Sequence, residues 1–275
     1  MLYRESRRKP LSSFPGFLIK KFSTTMQSQL GIPELRHAKR VLCVQPHYDD
    51  NDIGAGGTLA TLHDAGVEII YLTVTDDLVG VVDVELSNRD AAAQLKQEQL
   101  RAGEVIGVNR QYWLGFPDAG EYDYFELRRQ IIRYVRLLRP DFLFTCDPWL
   151  QYEAHHDHIQ TGLAVSEASL LHAMRRLKVE PELDRRYEPY TINGVVFYFT
   201  QYPNTEFDIT ALHARKHHAI DFYRAQFTPQ EMAQLHAELE VEELVPEVGA
   251  QPRYIERLKI VTPNKLHLHT ATWRS

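Results

Sequence analysis

Cysteine is almost absent from this sequence: among 275 residues only Cys43 and Cys146 carry a thiol. Each stands in a short apolar run that reads as a buried strand. Two such residues make no disulfide framework and point to a reducing, cytoplasmic setting. Long apolar runs are missing too. No stretch approaches the roughly 18 residues of a membrane-spanning helix, so no membrane span is expected. Positive charge is not in excess: 31 Lys and Arg face 37 Asp and Glu, for a formal charge of −6. That balance argues against nucleic acid as a partner. The glycines of "GAGG" (54–57) lack the G-x-G-x-x-G spacing, and the acids before them would repel a pyrophosphate.

What is present is an alternation of strands and helices. Hydrophobic residues make up 44% of the chain, enough for a sizeable core. Apolar β-rich runs at 40–45, 68–75, 110–116, 141–146 and 194–200 predict strands. Helical spacing predicts helices after "GAGG", over 89–108, over 124–140 and over 158–177, with two more helical patterns beyond 205. This order predicts an α/β, Rossmann-like three-layer fold with a mostly parallel sheet and its site at the strand carboxyl ends. Residues 1–35, basic and Ser-rich, read as an extension, with Met26 an alternative start. Residues 36–275 read as one domain.

Three polar clusters follow predicted strands, and so lie on one sheet edge: "HYDDND" after the first, "FPDAGEYD" after the third, "DPWLQYEAHHDH" after the fourth. His47 and Asp50 reach one cation if the backbone turns between them, and Asp49, the adjacent acid, then points elsewhere. His155, Asp157 and His158 stand just before another helix. Two histidines and a carboxylate with a fourth position open is a catalytic zinc arrangement. His47, Asp50 and His158 would supply it. Asp49 and His155 then remain beside the metal as a base and acid pair, with Asp157 available to fix the His155 tautomer. Neither cluster is specific alone; their matching placement is the signal.

"PHYDDNDIGAGG" resembles the A-H-P-D-D-E-x-x-G-x-G-G signature of the PIG-L/LmbE-like zinc-dependent N-acetylglucosamine deacetylases. "HHDHIQTG" is similar to its H-P-D-H-x-x-x-G signature, and "LGFPDAG" and "FDITALHARKHHAI" resemble two weaker segments. The resemblance spans about 38–226. It implies zinc on His47, Asp50 and His158, Asp49 as general base, His155 as acid or oxyanion stabiliser, and Asp157 as the partner orienting it. It also implies Asp118 as a substrate contact and, by looser alignment, Tyr152. Tyr48 replaces the family's Pro, and Asn51 its Glu. Where many members carry an Arg three residues before a helical Glu, here Glu98, this chain has Leu95, with Lys96, Arg89 or Arg101 nearby to compensate.

The expected activity is therefore zinc-dependent removal of an N-acetyl group from an N-acetylglucosamine-type sugar, by a homo-oligomer. The alternatives are a zinc amidase for another acylated amine and an inactive, metal-bound carbohydrate-binding protein. His217 and His218 read as ordinary helix histidines, His267 and His269 as a solvated strand edge, and "RRQIIRYVRLLR" as a helix with a solvated basic face.

Overall fold

A computed structural model describes residues 31–246, 252–270 and 272. Its spine is five parallel strands: β1 (Arg40–Gln45), β2 (Glu68–Thr75), β3 (Arg110–Phe116), β4 (Phe142–Cys146) and β5 (Gly194–Tyr198). β6 (Thr205–Asp208), β7 (Leu244–Val245) and β8 (Arg253–Val261) complete the sheet. The order is β3-β2-β1-β4-β5-β8-β6, with β7 also paired to β8. β8 runs antiparallel to β5, β6 and β7. The α/β class expected from the sequence is therefore observed, with an antiparallel flank.

The helices are α1 (Asp50–Asp64), α2 (Asn88–Ile106), α3 (Tyr124–Leu138), α4 (His156–Leu171), α5 (Pro181–Arg186), α6 (His213–Ile220) and α7 (Pro229–Glu243). Local chemistry sets their ends. Ser87 accepts the Asp90 N–H at 3.2 Å to cap α2, which stops at Gly107 with φ 101°. Asp123 caps α3, and Thr228 with Glu231 forms a capping box on α7.

Two apolar cores sandwich the sheet, because β1, β2, β4 and β5 are buried on both faces. Ile32 and Leu35 belong to one of them, so the packed unit begins before residue 36.

The glycines of the first motif lie inside α1 rather than ahead of it, and close packing explains them. A Cβ on Gly54 would stand 2.4 Å from the Tyr198 ring, and one on Gly57 2.7 Å from Ile209. The face of α3 expected to be solvated also hides one charge. Arg136 is buried and donates to Asp184 at 2.6 Å and to the carbonyl of His172 at 2.9 Å. His267 and His269 follow a short 3-10 turn, Pro263–Leu266, and form no strand.

Candidate active site

β1 ends at Gln45, and the chain turns through Pro46 to Asp49 before α1 begins. Gln45, fully buried, clamps that turn. Its Nε2 donates to the Tyr48 carbonyl at 3.0 Å, and its Oε1 accepts the Asn51 N–H at 2.9 Å. Asn51, where the resembled signature has Glu, is thus a buried structural residue. The His47 N–H donates to Asp50 Oδ2 at 2.8 Å, folding the two side chains toward each other.

On the neighbouring loop, α4 starts at His156, earlier than expected, so Asp157 and His158 sit in its first turn. The strand order places β4 beside β1, which brings this turn against the first motif. Asp50 then spans two imidazoles, with Oδ2 3.4 Å from His47 Nδ1 and Oδ1 3.3 Å from His158 Nε2. The His47 and His155 rings meet edge to face with centroids 4.5 Å apart, and each lies 5.2 Å from the His158 ring.

On the far side of His47, Nε2 faces Asp118 Oδ1 at 3.3 Å and Asp157 Oδ2 at 3.7 Å. Asp157 is fully buried. It accepts the Tyr122 hydroxyl at 2.8 Å and the Ala119 N–H at 2.9 Å, while His155 Nδ1 stays 3.9 Å away. Its main partners are therefore Tyr122 and the backbone. Asp118 accepts the Val79 N–H at 2.9 Å.

His47, Asp49, Asp50, Asp118, His155 and His158 open onto a cavity of about 420 Å³, walled by Val79, Gly80, Gln226 and Phe227. Asp77 and Ala119 also line it, both left-handed, with φ 57° and 49°. Such backbone outliers are typical of sites that the surrounding structure holds in place.

Electrostatics divide the acids. Burial, reinforced by the charge of Asp50, pushes the Asp49 carboxyl up to about 7. Burial would also raise Asp50, but His158 and His47 hold it well below the usual carboxylate range. Burial would lower His47, yet Asp118, Asp157 and Asp50 drive it far up. Burial, then the neighbouring His47 and His158, lowers His155.

Three carboxylates around one imidazole make a pocket that favours extra positive charge, and this is the basis for testing a metal there. The nitrogens turned away from Asp50, His47 Nε2 and His158 Nδ1, face carboxylates instead, Asp118 and Asp157 for the first and Glu153 for the second, as behind a ligating imidazole. Two donors held about 2.0–2.1 Å from one tetrahedral ion stand about 3.3–3.4 Å apart. The separations of 3.4 and 3.3 Å across Asp50 have that size and exceed an ordinary hydrogen bond. Nitrogens of His47, His155 and His158 also lie within 4.8 Å of one another, as do donor atoms of His47, Asp118, His155 and Asp157. The donor set fits a divalent transition metal.

Two substrate contacts expected from the sequence fall outside the cavity. Tyr152 is 88% exposed, with φ 72°. Lys96 is exposed on α2, its Nζ 4.3 Å from the Trp113 ring centroid. Both side chains face solvent, and neither lines the cavity. Arg89 and Arg101 are exposed as well, and Leu95 is buried in the core. Glu98 instead accepts the Ala225 N–H at 2.9 Å, bracing the wall that carries Gln226.

No role is expected from the sequence for Tyr122, Asp77, Glu153 or Gln226, although Tyr122 and Glu153 lie within the "FPDAGEYD" and "DPWLQYEAHHDH" clusters. Glu153 has Oε2 3.5 Å from His158 Nδ1 and Oε1 2.7 Å from the His155 N–H. Asp77 follows β2, so the strand-end rule that flags the three clusters could have found it too. Gln226 comes from a distant loop and leaves no local signal.

The family model "PIG-L: GlcNAc-PI de-N-acetylase" matches residues 42–169, which contain both motifs. The diacetylchitobiose deacetylase of Thermococcus kodakarensis is 37% identical over 202 residues, covering 72% of this chain and 73% of that protein. A 1D-myo-inositol 2-acetamido-2-deoxy-alpha-D-glucopyranoside deacetylase of Kineococcus radiotolerans is 28% identical over 173 residues, 52% of this chain and 48% of its own. Among solved structures, the N,N'-diacetylchitobiose deacetylase of Pyrococcus horikoshii superposes with a TM-score of 0.78 at 31% identity, covering 95% of this chain and 97% of that one. The chain belongs to the PIG-L family of de-N-acetylases.

Proposed function

We propose that this protein is a zinc-dependent N-deacetylase acting on an N-acetylglucosamine-type sugar or glycoconjugate, with acetate and a free amine as products. The observation that carries the reading is the pairing of adjacent acids. Asp50 lies between two imidazoles, while Asp49 faces the same cavity with its charge destabilised. Binding alone would need only the first.

His47, Asp50 and His158 would hold the metal. Once bound, zinc supplies a Lewis acid for the acetyl carbonyl and lowers the pKa of water at the site to about 7. Asp49 takes the proton from the attacking water and returns it to the departing nitrogen, acting first as base and then as acid. His155 donates a hydrogen bond to the developing oxyanion. Asp157 keeps His47 and the Ala119 turn in place, a positioning role rather than the His155 partnership expected from sequence. Asp118 reaches the substrate from the β3 side.

One catalytic domain, beginning before residue 36 because Ile32 and Leu35 pack in its core, carries the reaction on this reading, and the free, buried Cys43 and Cys146 support a reducing compartment. Among the described residues no helix is long and apolar enough to cross a membrane.

A second reading rests on the cavity wall. Among the described residues that line it there is no Arg or Lys. The cation that reaches sugar hydroxyls in the resembled pattern thus has no replacement here, which favours a broader amide substrate. Acetate release from a panel of N-acetyl sugars and other acetylated amines, with and without chelator, tests both readings. Chelator-sensitive release from the sugars supports the first; release confined to other amides supports the second. Sugar binding with no release from any substrate contradicts both.

A further inference from the structure

Outside the strand edge, a second cluster of imidazoles and carboxylates joins α6 to α7. His213 and His217 are one helical turn apart on α6, so both point the same way. Glu240 and Glu243 come from the last turn of α7. Donor atoms of His213, His217 and Glu240 all lie within 4.8 Å of one another. His213 Nε2 stands 3.5 Å from Glu240 Oε2 and 3.4 Å from Glu243 Oε2. These are long for hydrogen bonds and match the donor-to-donor edge of about 3.3–3.4 Å around a tetrahedral ion.

The surroundings leave the right atoms free. Glu243 is only 5% exposed; its Oε1 accepts Lys216 at 2.5 Å, and its Oε2, aimed at His213, has no hydrogen-bond donor. The Tyr254 hydroxyl donates to Glu240 Oε1 at 2.6 Å, which turns Oε2 toward His213. Tyr254 also stacks on the His213 ring with centroids 3.7 Å apart. His213 Nε2 and His217 Nε2 are both buried without a hydrogen-bond partner.

A proton relay fixes the His217 tautomer. The Asp221 carboxylate, an acceptor only, lies 2.9 Å from His236 Nε2, which therefore carries the hydrogen. His236 Nδ1 is then bare and accepts from His217 Nδ1 at 2.6 Å. That leaves the His217 Nε2 lone pair unused. A carboxylate–histidine chain behind a ligating histidine is the usual support of a metal site.

We propose that His213, His217 and Glu240, with Glu243 beside them, form a second divalent-metal site of the borderline class that zinc occupies. The Glu240 side chain is 46% exposed, which leaves the ion a route in. The site ties α6 to α7. The segment between them carries Gln226 and Phe227, so the ion braces one wall of the active-site cavity.

The test is zinc stoichiometry and affinity on the full chain, by titration with Zn²⁺ alone and elemental analysis. Wild-type protein should bind two ions per chain, and His217→Ala one. His47→Ala should keep one, and the double variant none. Glu240→Gln alters a half-exposed side chain without threatening the fold, and should weaken the second ion by at least about tenfold. His236→Phe should weaken it by about 10–100-fold through loss of the relay. A single ion in wild-type protein, lost in His47→Ala and unaffected by His217→Ala and Glu240→Gln, overturns the proposal. So do two ions that both survive those last two substitutions. Failure of the deacetylase reading would leave this result unchanged, because the readout is metal rather than acetate.

Discussion

The two histidine clusters differ in how the chain assembles them. At the strand edge, three imidazoles meet three carboxylates drawn from turns after β1, β3 and β4, and a substrate-sized cavity opens over them. Between α6 and α7, two imidazoles one turn apart meet carboxylates from a single helix. Neither of these imidazoles lines that cavity, and the remaining acid, Glu243, is engaged by Lys216. The first arrangement concentrates charge where a substrate can reach it; the second concentrates donors where two helices need joining. A metal-ligand set therefore reads as catalytic when its imidazoles share an open cavity with a further acid, as at the strand edge.

The sharpest way to separate the regions is Asp49→Asn. It should lower kcat for acetate release by about 10²–10⁴-fold while both metal equivalents stay bound. Loss of metal in that variant would mean that Asp49 and Asp50 have exchanged roles. His217→Ala should do the opposite, removing one ion while lowering acetate release far less than Asp49→Asn does.

A buried network links the two clusters. Lys216 donates to Glu243 at 2.5 Å and to Glu256 at 2.8 Å, and Glu256 accepts the Gly57 and Thr58 N–H groups of α1 at 2.9 and 2.7 Å. Lys216→Met strips the cation from two buried carboxylates and should cost about 3–5 kcal/mol of unfolding free energy in urea. A loss under about 1 kcal/mol would show that these acids relax or take up protons instead. Gly57→Ala presses a methyl into Ile209 and should cost about 1–3 kcal/mol.

The smallest effect is a pH dependence remote from both clusters. Burial, then the charges of Arg136 and Arg139, lowers His172 to about 4 from an ordinary 6.5. Between these values the unfolded chain binds the extra proton, so stability rises with pH through this window and falls on acidification from about 6.5 to about 4. His172→Gln should flatten that part of the urea-midpoint profile; an unchanged slope would contradict the assignment.

The strand-edge site is legible because its signal is local. His47, Asp49 and Asp50 are near neighbours, as are His155, Asp157 and His158, and the β1, β2 and β3 spans agree with their apolar runs. The helix-bridging cluster is not: His217 reads as an ordinary helix residue until α7 is placed against it. β8 escapes for a different reason. Its alternation is interrupted by Glu256 and Lys259, buried charges that a strand admits only when distant partners neutralise them. The glycines of α1 look like a loop for the same reason, since Tyr198 and Ile209 arrive from far along the chain. Residues 1–30, including Met26, lie outside the described residues.

Metal-dependent hydrolysis at the strand edge is tested most directly by acetate release from N,N'-diacetylchitobiose, using protein stripped with chelator and then titrated with Zn²⁺. Release should stop on stripping, return with zinc, and fail to return in His158→Ala. Release that continues at full rate after the metal is gone would contradict a catalytic role for the ion.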